Sequence, residues 1–96
     1  MRPSAALALR RTEVLDLLGR FRAGNPRVFG SVARGEDRDG SDLDRLIDAA
    51  PGTTLFDLAR LHNALSDLLG VPVDIATMGG MTPRLMARVQ SDLKPL

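Results

Sequence analysis

The chain has 96 residues, which fits one small domain spanning 1–96. Apolar residues make up 44% of it, with three Phe and no Trp or Tyr, so Leu, Val and Ala must fill a modest core. The formal net charge of +1 argues against wholesale electrostatic capture of nucleic acid or membrane, and the lack of cysteine excludes disulfides, thiolate metal sites and cysteine nucleophiles.

The charge is unevenly placed. Residues 1–27 carry six arginines against two acids, and residues 36–48 carry six of the twelve acids. The N-terminal MRPSAALALRR places its apolar run before its arginine pair, the reverse of a secretion signal. No segment approaches the length of a membrane span. A soluble cytoplasmic protein is the expectation.

In chain order, Val14, Leu15, Leu17, Leu18 and Phe21 share a helical face. They predict a first helix over about residues 4–23, capped by Ser4 and ended by Gly24-Asn25-Pro26. Arg27-Val28-Phe29 reads as a short strand running into Gly30-Ser31 and one helical turn over 31–34. Glu36 to Gly40 is a polar loop. From Asp42 to Ala49 the residues alternate: Leu43 and Ile47 face one way, Asp42, Asp44 and Asp48 the other. Thr54 with Asp57 forms a capping-box variant ahead of the stripe Leu58, Leu61, Leu65, Leu68 and Leu69, which Gly70 closes. Val71, Val73 and Ile75 form another alternating strand and send Asp74 to its opposite face. Met78 and Met81 around Gly79-Gly80 read as loop packing, and Thr82-Pro83 starts a last helix. The order α-β-(α)-β-α-β-α implies an α+β fold. Its small mixed β-sheet has helices packed on one face and carboxylates on the other.

Those carboxylates carry the chemistry. Asp42, Asp44 and Asp74 on adjacent strands suit one or two Mg²⁺, a cation that takes hard oxygen ligands and shares its shell with substrate phosphates. Two such ions about 3.5–4 Å apart can activate an attacking oxygen and stabilise a leaving one. Asp74 can also help remove the proton of the attacking hydroxyl. Gly30-Ser31, following a strand, lets backbone N–H groups and a hydroxyl approach an anion, and Arg34 one turn on can neutralise phosphate charge.

Gly30-Ser31, Ala33-Arg34-Gly35, Ser41-Asp42-Leu43-Asp44 and a later strand Asp74 together resemble the nucleotidyltransferase superfamily related to DNA polymerase β. The chain length is similar to the minimal nucleotidyltransferase (MNT) domains. The likeness covers about residues 26–76. It implies the nucleotidyltransferase fold and transfer of a nucleoside monophosphate, AMP from ATP, to a hydroxyl with release of pyrophosphate. By the same resemblance, Asp42, Asp44 and Asp74 are the catalytic residues and Mg²⁺ ligands, with Gly30, Ser31 and Arg34 binding the nucleotide. Many minimal members act as antitoxins beside a HEPN-domain toxin, several by adenylylating a toxin tyrosine. The implied partners are then a nucleoside triphosphate and a HEPN-type toxin encoded nearby, in a hetero-oligomer, with neither nucleic acid nor membrane expected. A chain of this length is expected to draw much of its acceptor site from that partner. Met86, Val89 and the tail Leu93 to Leu96 are the candidate contacts.

Arg45 departs from the pattern. It falls between Leu43 and Ile47 on the helix-covered face, where family members usually carry an aliphatic residue. A buried, unpaired guanidinium costs several kcal/mol. The expectation is that Arg45 reaches solvent or an acid such as Asp16 or Asp67 and leaves Asp42 and Asp44 in place. A bulged strand would instead re-aim the aspartates. That possibility keeps a second reading open, a non-catalytic antitoxin that neutralises its toxin by occlusion. A third is a transferase acting on a small molecule or a tRNA end. Asp48 and His62 are read as solvated side chains.

Overall fold

The computed structural model describes residues 1–96 apart from the side chain of Met78, so the expected loop packing of Met78 lies outside the described residues. Two short helices open the chain, α1 (Pro3–Leu9) and α2 (Arg11–Arg20). Then come β1 (Ala23–Phe29), α3 (Gly30–Arg34), β2 (Leu43–Ala49), α4 (Leu55–Leu69) and β3 (Val73–Thr77). A 3₁₀ turn (Met78–Gly80), α5 (Pro83–Gln90) and a short β4 (Lys94–Pro95) complete it. The sheet has four strands in the order β3-β2-β1-β4. β1 runs antiparallel to β2 and β4, whereas β2 and β3 are parallel, joined through α4 as a βαβ unit.

The expected single first helix is two helices. At Arg10 the backbone leaves helical angles (φ −111°, ψ 20°). Arg10 then pairs with Glu13 at 3.1 Å, and Arg11 donates to the Leu96 carbonyl at 2.8 Å. Ser4 is not the cap. Pro3 takes the first helical position, where its missing N–H costs nothing. The orphan N–H of Ser4 donates to Asp37 Oδ2 at 2.8 Å, so the polar loop anchors the start of α1.

Gly24-Asn25-Pro26 does not end a helix either, because α2 stops at Arg20 and these residues lie inside β1. Gly24 pairs with Asp48 but Arg27 with Leu46, so β1 carries one extra residue and bulges. Asn25 takes the left-handed conformation (φ 46°) that asparagine tolerates, and Pro26 sits where no ladder donor is needed. The Pro26 carbonyl accepts from Leu96 N at 3.0 Å, which ties β4 to this edge. Asp48 is exposed, as expected, yet it is held by Arg27 at 2.6 Å and by Asn25 at 3.2 Å.

α1, α2 and α4 cover one face of the sheet. Val14 and Leu18 of α2 and Leu61 and Leu65 of α4 meet Leu43 and Ile47 of β2 in one buried cluster. The predicted stripe on α4 is realised, with Leu61, Leu65 and Leu69 buried and Leu58 and Leu68 packed beside them. Its capping box is complete: Asp57 N–H donates to Thr54 Oγ1 at 3.2 Å, and Thr54 N–H donates to Asp57 Oδ2 at 2.9 Å. Thr54→Ala is expected to lower stability by about 1 kcal/mol, read from the urea midpoint.

Arg45 contradicts expectation. Its side chain is 0% exposed, and Nε, Nη1 and Nη2 have no hydrogen-bond partner among the described residues. Asp16 is engaged by Arg20 at 2.9 Å instead. Register places Arg45 between Val28 and Ile75, both packed in the apolar cluster, so the guanidinium lies in hydrocarbon. Burial pushes its pKa down to about 10, which leaves it charged at neutral pH. β2 nevertheless keeps an unbroken register with β3 from Leu43 opposite Val73 to Ile47 opposite Thr77. The bulge is on β1, near the far end of β2 from Asp44, so Asp44 keeps its place opposite Asp74.

Candidate active site

β1 ends at Phe29, and the chain turns at Gly30 (φ 71°) into α3. That positive φ favours glycine, and space demands it too, because a Cβ on Gly30 would overlap the Asp44 carboxylate. Phe29 and Asp44 are register partners on β1 and β2, and Asp44 is in turn opposite Asp74 on β3. Backbone and two carboxylates thus converge at one end of the sheet, on the face away from α2 and α4. Gly30→Ala is expected to displace Asp44 and to reduce nucleotidyl transfer far more than its strain of about 1 kcal/mol reduces stability. Initial rates beside a melting curve check this.

Partial burial raises the pKa of Asp44, and repulsion from Asp74 and Asp42 raises it further, with Arg34 opposing. Asp42 precedes β2 and is exposed. Among the described residues no three His, Cys, Asp or Glu side chains are already gathered as a metal-holding group. The donor set still suits a hard divalent cation. It is all carboxylate oxygen, two members face each other across neighbouring strands, and their mutual repulsion is what a cation relieves.

A cleft of about 230 Å³ opens beside Asp44, lined by Phe29, Gly30, Arg34 and Asp44 on one side and by Leu85, Arg88, Val89 and Asp92 on the other. Of the six predicted site residues, Gly30, Arg34 and Asp44 share this cleft, whereas Ser31, Asp42 and Asp74 are not among its lining residues. Asp74 and Asp42 join the group through Asp44 instead. Arg34 spans the cleft's rim, with Nη1 2.7 Å from Asp92 Oδ2 and Nε 3.2 Å from Glu36 Oε2. These carboxylates hold the guanidinium firmly in its charged form.

Leu85, Arg88, Val89 and Asp92 were not identified from the sequence as cleft residues. Their spacing of three, one and three residues marks one helical face, the signal that could have found them. One proposed partner contact is corrected. Val89 is buried rather than presented to a partner, whereas Lys94–Pro95 pair with β1 as an edge strand and stay exposed. The two most exposed large apolar side chains are Leu55 and Phe56 at the start of α4, at 84% and 83%, while Leu85 on α5 is also exposed.

The site is thus a mixed sheet with helices on one face, a glycine turn against a strand carboxylate and a second carboxylate opposite it. The chain matches the nucleotidyltransferase domain family over residues 13–94 and belongs to that family. It is 32% identical over 80 residues to a candidate protein adenylyltransferase of Methanocaldococcus jannaschii, covering 83% of this chain and 86% of that one. A solved structure of a candidate minimal nucleotidyltransferase superposes with a TM-score of 0.85 at 50% identity, covering 97% of this chain and 95% of the other. A chain of a toxin–antitoxin complex crystallised with AMP-PNP shares the fold, with a TM-score of 0.76 at 22% identity, over 88% of this chain and 69% of that one. The protein is thus a nucleotidyltransferase of the minimal kind. Among the described residues no helix is long and apolar enough to cross a membrane.

Proposed function

We propose that the chain transfers AMP from ATP to a hydroxyl of a partner protein, a tyrosine of a HEPN-type toxin, and acts as that toxin's antitoxin. The observation that carries this is the Asp44–Asp74 pair set against Gly30, with Arg34 over the adjoining cleft. The relative named for protein adenylylation supports a protein acceptor, and the fold neighbour from a toxin–antitoxin complex is consistent with a toxin partner; the tyrosine and the HEPN type rest on the family resemblance.

Asp42, Asp44 and Asp74 are the residues that would hold Mg²⁺, which when bound supplies charge stabilisation at the α-phosphate and leaving oxygen. Gly30 and Ser31 admit the phosphates close to the backbone, and Arg34 offsets their charge. Asp74 accepts the acceptor hydroxyl's proton. The hydroxyl oxygen forms the new bond to the α-phosphorus, the bond from that phosphorus to the bridging oxygen breaks, and pyrophosphate leaves.

The feature that favours the occlusion reading is Arg45, which is buried with no side-chain hydrogen-bond partner among the described residues, whereas β2 keeps its register with β3, which favours catalysis. Growth separates the two readings. Cells expressing the toxin encoded beside this chain should be rescued by wild type and not by Asp42→Asn/Asp44→Asn. Rescue by that double variant would make the chain an occluding antitoxin.

A further inference from the structure

The side chain that faces the cleft most directly with positive charge is not free to meet a phosphate. Arg34 is held from both sides, by Glu36 two residues on and by Asp92 from the far wall. Asp92 lies just beyond α5, and its own N–H donates to the Val89 carbonyl at 2.9 Å, which fixes it to the end of that helix. Its side chain is 24% exposed, less than the 44% of Arg34, so the acid is the better sheltered member of the pair. The other cation in the cleft, Arg88, is four residues before Asp92; its carbonyl accepts from Ser91 Oγ at 3.2 Å, and its guanidinium makes no hydrogen bond or ion pair among the described residues.

We infer that Asp92 is a positioning residue for nucleotide selection, because Arg34 must exchange Asp92 for a phosphate when the triphosphate binds. This rests on the reading of Arg34 as a phosphate contact. The lining charges are Arg34 and Arg88 against Asp44 and Asp92, so the cleft is balanced before any ligand enters. With a divalent cation on Asp44, Asp92 is the acid left to repel an incoming anion. A triphosphate offers several oxygens and high charge density, enough to displace one partly exposed carboxylate from a guanidinium. A monophosphate offers less, so the Arg34–Asp92 contact biases the site toward the donor and against AMP or inorganic phosphate. Arg88 stands where it can take over Asp92 once Arg34 has left.

Asp92→Asn keeps an oxygen for Arg34 while removing the competing charge. The experiment is equilibrium binding of Mg·ATP and of AMP to the full chain, for wild type, Asp92→Asn, Arg34→Gln and the double variant. An exposed ion pair is worth up to about a fivefold change in binding, so Asp92→Asn should tighten ATP by about two- to fivefold and AMP by at least as much. In the Arg34→Gln background the same substitution should have a smaller effect on both, because only the direct repulsion by Asp92 is then removed. Steady-state kinetics should show the gain in KM for ATP, with kcat within about twofold. Unchanged or weaker ATP binding by Asp92→Asn, or an equal gain without Arg34, would overturn the exchange while leaving the nucleotide site standing. Wild type that binds no Mg·ATP would overturn both.

Discussion

Arg45→Met should raise the unfolding free energy by about 1–4 kcal/mol while leaving nucleotidyl transfer unchanged within about twofold. The wild-type guanidinium is fully enclosed, lacks a partner among the described residues and stays charged at neutral pH, because burial lowers its pKa only to about 10. Methionine is unbranched, of similar reach and apolar, so it fills the space without the desolvation penalty. A domain of this size moves by about 4–8 °C in Tm per kcal/mol, which makes the effect easy to read by melting. The pH dependence has a definite sign. The folded-state pKa lies below the unfolded one, so above about pH 10 the unfolded chain binds more protons and wild-type stability recovers with rising pH. The gap between wild type and variant should therefore be full at neutral pH and narrow beyond about pH 10. A variant less stable than wild type at neutral pH would mean that Arg45 has a buried anionic partner.

Asp44→Asn should lower the transfer rate by about three orders of magnitude, the effect of losing about 4 kcal/mol of metal-mediated charge stabilisation. Stability moves the other way. Partial burial and repulsion from Asp74 and Asp42 raise the pKa of Asp44, so the folded state disfavours its ionised form. That penalty is complete above the raised pKa and is relieved as pH falls through it, because there the folded chain binds more protons than the unfolded one. Without divalent cation, the variant should melt at or above the wild-type temperature at neutral pH. Mg²⁺ should then stabilise wild type, by about 2.7 kcal/mol at a hundredfold excess over Kd, and leave the variant nearly unmoved. Equal stabilisation of both proteins would remove Asp44 from the metal site.

The β2 alternation, the α4 stripe and the Thr54–Asp57 box were legible in the sequence because each depends on residues within a turn or two of one another. The Gly30 turn was legible for the same reason, although its closest constraint, contact with Asp44, comes from a strand pairing. Non-local pairings hid the rest. Gly24-Asn25-Pro26 has the composition of a helix stop, and it becomes strand only because Asp48 and Ala49 pair with Ala23 and Gly24. The break at Arg10 accompanies a tether from Arg11 to Leu96, 85 residues away. The far wall of the cleft escaped because α5 mixes Leu85 and Val89 with Arg88 on one face, which periodicity alone reads as an apolar side, and Asp92 joins that face from just beyond the helix. Alternation places Arg45 on the covered face, but it does not decide where the guanidinium ends, since a side chain of that length has several ways out of a sheet and here takes none of them.

The most direct test of nucleotidyl transfer by this site uses ATP labelled at the α-phosphate beside ATP labelled at the γ-phosphate. The chain is incubated with Mg²⁺ and the protein encoded next to it, in parallel with Asp44→Asn. Nucleotidyl transfer predicts label on the partner from the α position only, pyrophosphate released in equal amount, and neither with the variant. Label from the γ position, or α-label transferred equally by Asp44→Asn, would contradict it.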